Sequence, residues 1–432
     1  MVRGGIKLFS YIFSMSKIFI LPLFIIFLPR VFISYINTKT YNNTRFQNTN
    51  FRLGLENITP KLLKNISKTS ASKNNIGLIT NQTGKDQLGR RNVDVLLSRG
   101  IPMTKIFVPE YKLDSAIPTK NITNSVDKKT SIPILSFYPG DKTKILDNTM
   151  LQDIDIIMFD MQDTGVRHDT HITTLFQAIE AASKYQKTIV ILDRPSILGP
   201  VIEGPLANTD YKSIPIRYGM TIGELALYFN NKINKQKAKL YIVPMKGYRR
   251  DCTIANKLLY HLSPNIQSIN SCHGHSFLGI LGEISPFDVG IGSPNAFQVI
   301  LLEDTIEYSH RKWKQAHKIL ESFGIKNHFY RFFDEQKNNY CSGLKISIKN
   351  INNTPSFKAL VSILKFFKES GITLTFSKHF NKIIGTDKLQ KFLQDKITWT
   401  ELTRHINRNL YFFYNKASKY FIYKPFPRVE YL

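Results

Sequence analysis

The sequence predicts an α/β protein built on a mostly parallel, doubly wound sheet. Short apolar runs rich in β-branched residues recur along it, as strands buried on both faces require. Amphipathic stretches alternate with those runs, which is the pattern of helices covering such a sheet. At 432 residues the chain is long enough for two domains of ordinary size.

The expected strands are IGLIT (76–80), KIFVPE (105–110), IPILSFY (132–138), IDIIMFD (154–160), TIVILD (188–193) and KLYIVP (239–244). The expected helices are RNVDVLLSR, ITTLFQAIEAASKY and MTIGELALYFNNKI, with apolar positions at three- and four-residue steps. Thr221 and Glu224 have the spacing of a capping box at the start of the third. In such sheets ligands sit beyond the carboxyl ends of the strands. Chemistry is therefore expected where the runs stop: TNQTG (80–84), PE (109–110), FDMQDTGVRHDTH (159–171) and DRP (193–195). GPVIEGP (199–205) follows, and its glycine and proline punctuation places Glu203 on a loop or short extended segment.

The amino terminus carries Arg3, Lys7 and Lys17 before an apolar core, Ile18 to Leu28, interrupted by Pro22. That is a secretory signal pattern, too short for an ordinary spanning helix. The apolar character resumes after Arg30 without a clean cleavage site, so an uncleaved signal anchor is the alternative. Residues 1–36 are read as that signal or anchor, 37–50 as a polar linker, 51–258 as the catalytic domain and 259–432 as a smaller second domain. The chain is expected to be exported, to the periplasm or the exterior, and to touch a membrane only through an uncleaved amino terminus.

The formal charge of +27 is spread along the chain rather than blocked, and no helix-turn-helix, zinc-finger or RNP signature occurs. This argues against nucleic acid and for a solvated basic surface, with an acidic polymer as the other attraction. Cys252, Cys272 and Cys341 lack CxxC spacing, and neither GxGxxG nor a Walker A motif appears, so no cofactor is expected. His168 and His171 are three apart, but a pair without a third ligand does not make a metal site.

FRLGLE, IGLITNQTG, PE, FDMQDTGVR, ILDRP, VIEGP, IPIRYGMTIGELA, VPMKGYRRD and SPN occur in one order from Phe51 onward, followed by CSGLKISI and IIGTDKLQKFL. In these blocks the chain resembles the exo-β-N-acetylmuramidases, glycoside hydrolases formerly known as the DUF1343 domain. The resemblance implies a Rossmann-like amino-terminal domain and a smaller carboxy-terminal α/β or α+β domain completing the cleft. It also implies release of N-acetylmuramic acid from non-reducing ends of peptidoglycan fragments. By the same resemblance Glu110 and Glu203 are the expected catalytic carboxyls. Glycoside cleavage needs one group to protonate the departing oxygen and another to act as base or nucleophile.

Asn81, Gln82, Asp160, Gln162, Asp163, Arg167 and Glu283 are the expected substrate contacts. Asp160 and Asp163 are read as hydroxyl acceptors or as positioners of Arg167, whose guanidinium would pair with the lactyl carboxylate of muramic acid. An Asx turn explains Asn81 equally well. The chain departs from the family pattern at Tyr111, Tyr218 and Ile291, which stand where the family has two histidines and an arginine. Those departures keep a second reading open, a catalytically weakened relative that binds muropeptides at the envelope. The expected partners are muropeptides, with a homodimer left open.

Overall fold

Seven strands form the central sheet: β1 (Ile76–Thr80), β2 (Lys105–Pro109), β3 (Ser125–Val126), β4 (Pro133–Phe137), β5 (Ile156–Asp160), β6 (Thr188–Leu192) and β9 (Lys239–Val243). Their spatial order is β9-β6-β5-β1-β2-β4-β3, parallel except for the β3–β4 pair. The computed structural model describes residues 50–67, 74–109, 111–113, 115–118, 124–137, 146–207, 213–233, 236–251, 262–335 and 338–432, all within the unit Asn43–Leu432.

All six expected runs are strands of this sheet. β1, β5 and β6 are buried along their whole length, which is why they read as unbroken apolar runs. β3 escaped the sequence reading because its two residues are exposed and give no apolar signal. Gly77 lies in β1 because Phe107 of β2 covers it: a Cβ there would meet the ring at 2.3 Å.

The expected helices are α1 (Asn92–Ser98), α2 (Thr170–Lys184) and α3 (Ile222–Lys232). α3 starts with the expected capping box. The Thr221 side chain accepts from Glu224 N, and Glu224 Oε2 accepts from Thr221 N at 2.9 Å. Glu224 Oε1 also takes Arg250 and the amides of Ile422 and Tyr423, so the cap clasps the end of the chain.

A small sheet joins β7 (Val201–Glu203), β8 (Arg217–Tyr218) and β13 (Arg428–Val429). Glu203 thus lies on a short extended segment. The smaller carboxy-terminal domain holds an antiparallel sheet, ordered β10 (Val299–Glu303), β12 (Asn339–Ser347), β11 (Lys326–Asp334). Helices α4 (Ile269–Leu281), α5 (His310–Ser322), α6 (Ser356–Glu369) and α7 (Trp399–Ala417) belong to the same half, with α6 packed on both α4 and α5. Among the described residues no helix is long and apolar enough to cross a membrane. Residues 1–49 of the expected signal and linker, and the domain boundary at 258–259, lie outside the described residues.

Candidate functional site

The chain runs outward from β1 to β2 and β4, then returns to the other side of β1 for β5 and β6, so the strand order switches direction between β1 and β5. A doubly wound sheet binds ligands in the crevice at that point. The residues there are Thr80 to Thr83 and Asp160 to Asp163.

Asp160, the last residue of β5, is 0% exposed and held from three sides. Arg194 grips both its oxygens, Nε to Oδ1 at 2.6 Å and Nη2 to Oδ2 at 2.8 Å. Asn92 of α1 adds a bond to Oδ2 at 2.8 Å and donates to Thr80 Oγ1 at 2.7 Å. This bidentate pair, with Asn92 beside it, ties the ends of β1, β5 and β6 together. This corrects the expected pairing, because the arginine of Asp160 is Arg194, not Arg167.

Beside it, Asn81 Oδ1 accepts from Thr83 N at 2.9 Å, the expected Asx turn. His171 Nδ1 lies 3.1 Å from the Gln162 carbonyl oxygen, so that nitrogen carries the proton, and Nε2 accepts from Asn81 Nδ2 at 2.9 Å. Both ring nitrogens of His171 are engaged. Gln162 donates from Nε2 to Pro195 O at 2.8 Å, while its buried Oε1 has no partner among the described residues. Gln82 reaches the Leu262 carbonyl.

Asp163 follows on the turn that Gly165 makes at φ 97°. Tyr218 of β8 donates its hydroxyl to Asp163 Oδ2. Burial, reinforced by the nearby Asp169, pushes the Asp163 carboxyl up to about 7. Burial and the same carboxylate raise the Tyr218 hydroxyl well above its usual range. Asp169 caps α2 by accepting from His171 N and also takes Thr164 N and Oγ1. Burial opposes its ionisation, yet His171 and these donors hold it below the usual carboxylate range.

Arg167 donates to three carbonyls, Pro205, Ile214 and Ile383, and forms no ion pair among the described residues. Burial lowers its guanidinium to about 9. Its contact with Ile383 reaches into the carboxy-terminal half. His168 is set edge-on to His275, ring centroids 4.4 Å apart, and burial pushes both below the ordinary imidazole range.

Glu203 is 1% exposed and accepts four hydrogen bonds: Arg217 Nη1 at 3.0 Å, Ser356 N at 3.2 Å, Ser356 Oγ at 2.5 Å and Phe357 N at 3.1 Å. The last three sit at the start of α6, whose exposed amides and positive dipole end suit an anion. These are the surroundings of a buried ion pair and helix cap joining the two halves. Glu110 lies outside the described residues, as does the Tyr111 side chain.

Glu283 stands apart from this cluster. Its Oε2 accepts from Ser377 Oγ at 2.5 Å, and it lines a cavity of about 460 Å³ with Ile291, Asp288, Glu303 and Phe376. The closest group of potential metal ligands among the described residues, Asp288, Asp334 and Cys341, includes neither His168 nor His171.

Sequence reasoning missed Arg194, Arg217 and the part played by Tyr218. The signal was present, since DRP follows a buried strand directly and IRY precedes a capped helix. Their partners lie 34, 14 and 55 positions away, beyond any local pattern.

Residues 76–270 match the model of the amino-terminal domain of exo-β-N-acetylmuramidase NamZ, and residues 276–423 match that of its carboxy-terminal domain. The chain is 28% identical over 371 residues to the peptidoglycan β-N-acetylmuramidase NamZ of Bacillus subtilis (strain 168), covering 81% of this chain and 86% of that protein. Two crystal structures of DUF1343 family proteins from Bacteroides fragilis NCTC 9343 share the fold. One has a TM-score of 0.73 at 24% identity, covering 87% of this chain and 99% of the other; the second has 0.66 at 23%, covering 86% and 99%. With both domain models matched in order and the fold shared, the chain belongs to the NamZ exo-β-N-acetylmuramidase family, DUF1343.

Proposed function

We propose that the chain is an exported glycoside hydrolase that releases N-acetylmuramic acid from non-reducing ends of peptidoglycan fragments. The observation that carries this reading is the crevice at the β1–β5 switch point, where in this chain Asp163, its carboxyl pushed up to about 7, lies beside Tyr218. A carboxyl that keeps its proton near neutral pH meets the need for a general acid. Glu110 directly follows β2, the neighbour of β1, and is proposed as the second reacting carboxyl.

Glu203 acts in this proposal by position. It already accepts four hydrogen bonds, and through Arg217 it fixes β7, β8 and α6. Arg167, a buried cation bound only to carbonyls among the described residues, supplies the positive field that would attract the lactyl carboxylate. Asn81, Gln82, Gln162 and Glu283 are proposed sugar contacts, and Asp160 holds the strand ends that carry them. Export rests on the basic, apolar amino terminus, and a reporter active only after export, fused beyond residue 50, tests it. Cytoplasmic retention would refute export.

A second reading, a weakened relative that binds muropeptides, is favoured by Ile291. It is 60% exposed beside Glu283, where an arginine is the family pattern, and it offers no hydrogen bond. A chromogenic β-N-acetylmuramide, with the corresponding glucosaminide as control, separates the two. Turnover of the muramide alone is expected; binding of muramic acid without turnover would favour the weakened relative.

A further inference from the structure

We propose that the outer face of α7, with the carboxy-terminal segment that follows it, is a docking surface for an anionic lipid bilayer. The buried side of α7 is Leu402, Ile406, Leu410, Phe413 and Ala417. On the opposite side, at the same three- and four-residue steps, Arg404, Arg408, Tyr411, Phe412 and Lys416 are exposed. Cations and rings on one face suit the headgroup region of a bilayer. Ammonium and guanidinium groups meet lipid phosphates there, and aromatic rings lie at the boundary with the acyl chains.

The apolar part continues past the helix. Tyr431 stands beside Tyr411 and Tyr414. Tyr414 is in ring contact with Phe421, centroids 5.7 Å apart, and Phe421 with Phe426 at 5.9 Å. Tyr411, Phe412, Ile422, Phe426 and Tyr431 are between 40% and 54% exposed. Apolar side chains gathered in this way mark an interaction site, which single scattered ones do not.

The charge is one-sided. Arg404, Arg408, Lys416, Lys419 and Lys424 are exposed, and none forms an ion pair among the described residues. Arg408 lies over the Phe412 ring, 5.7 Å from its centroid. From Leu402 to Leu432 the sequence has one acidic side chain, Glu430, which is half-buried near Arg428 and Glu203. Glu401, at the first turn of α7, is engaged in the cap with Thr398. An acidic polymer in solution would satisfy the cations but not Ile422 and Phe426. A bilayer satisfies both.

The described chain also begins near this face. Phe51 packs against Tyr248, ring centroids 6.4 Å apart, and Tyr248 against Tyr423 at 5.1 Å. Tyr423 lies between Ile422 and Lys424 in sequence. Residues 37–50 can span at most about 50 Å, so an amino-terminal segment held in a bilayer keeps this face within reach of it and raises its effective concentration there. This last argument rests on the anchor reading of residues 1–36, whereas the charge and the exposed rings do not.

Partition of the full chain into vesicles tests the proposal, with vesicles of phosphatidylcholine or of an equal mixture with phosphatidylglycerol. Residues 1–36 are the same in every variant, so the ratio of the two partition coefficients isolates the patch. Wild-type protein should favour the anionic vesicles. The combined variant Arg404→Glu, Arg408→Glu, Lys416→Glu and Lys419→Glu should lower the ratio by about a hundredfold or more, each basic residue near an anionic surface being worth about fivefold. Its melting temperature and its turnover of a soluble muramide should match wild type, so failure of this proposal is distinguishable from failure of the hydrolase reading. Contact with the acyl region is read with brominated lipids. Phe412→Trp should be quenched well above the background of Trp313 and Trp399. Val126→Trp should not, because β3 is the sheet edge opposite β6 and β9, near which Tyr423 is held by Asp193 and Met245. A ratio unchanged in the charge variant would overturn the proposal and leave the amino-terminal segment as the membrane contact. Phe412→Trp quenched no more than Val126→Trp would also overturn it, as expected if an acidic polymer or a second copy occupied the patch.

Discussion

Tyr218 donates its hydroxyl to Asp163, and the two side chains are both buried where β5 and β8 approach the crevice. The pair stands at a position where the family pattern has histidine in place of tyrosine. A phenol can donate to a carboxylate, but burial holds its own proton well beyond reach of neutral pH. Asp163 is therefore the member that titrates.

A raised carboxyl makes stability depend on pH in a definite sense. Between the unfolded value of 3.8 and the folded value of about 7, the folded state binds more protons than the unfolded one. Stability contributed by the neutral form is thus lost as pH rises through that window, and the loss is complete above it. Asp193, also pushed to about 7, first by burial and then by the nearby Glu224, adds to the same trend. Asp163→Asn, which stays neutral, should melt closer to wild type at pH 5 and higher than wild type at pH 8. The difference should be a few degrees, at about 1 °C per kcal/mol for a chain of this size. Equal displacement at both pH values would show that Asp163 does not titrate in this window. Turnover should decline as pH rises past about 7, and Asp163→Asn should lose it at all pH values.

Glu110→Gln and Glu203→Gln should fail in different ways. An amide at 110 keeps the shape and removes a reacting carboxyl, so turnover should fall by about 10²–10⁴ with the melting temperature unchanged. An amide at 203 leaves the buried Arg217 without its counter-charge, and breaking such a pair costs about 3–5 kcal/mol. Glu203→Gln should therefore lose several degrees of melting temperature, and its activity should fall along with its folded fraction. Unchanged melting with abolished turnover in Glu203→Gln would return Glu203 to the reacting pair.

The contrast between those glutamates shows what the sequence could and could not disclose. Six strands and the α3 cap were legible because each is a local pattern: a run of buried apolar residues, or a threonine three positions before a glutamate. The switch-point residues were legible too, since a polar residue directly after a buried strand marks the carboxyl edge. Glu203 was expected in the site from the resemblance to the family, and the structure adds a helix-cap role that its neighbours in sequence do not announce. Its environment is set by Arg217 and by Ser356, 153 positions away, and no local pattern reports such a meeting. Asp160 was read as a hydroxyl acceptor or a positioner of Arg167, whereas the arginine it takes is Arg194, from the next strand end.

Activity should survive a strong chelator. Both nitrogens of His171 are engaged by Gln162 and Asn81, and the buried imidazoles of His168 and His275 face each other without a carboxylate or thiolate completing a ligand set among the described residues. A metal hydrolase needs at least three protein ligands and an open position. Loss of turnover with chelator, restored by added zinc, would refute this reading of the histidines.

Ile291→Arg tests whether this chain is a working hydrolase with a reduced contact or a binder that has lost its chemistry. Ile291 is 60% exposed between Gly290 and Gly292, both at positive φ, so a longer side chain meets open space at the rim of the cavity that Glu283 lines. The exchange should leave the melting temperature within about 1 °C, as surface substitutions usually do. An arginine there restores a charged fork able to bind a hydroxyl or carboxylate, a contact of about 1.5–3 kcal/mol when charge-assisted. If the enzyme reading is right, kcat/KM for the muramide should rise by about tenfold or more, mostly through KM. A rise in muramic acid affinity with turnover still absent would identify the weakened relative. No change in either quantity would remove the Glu283 cavity from the site and leave the switch-point crevice as the place where substrate binds.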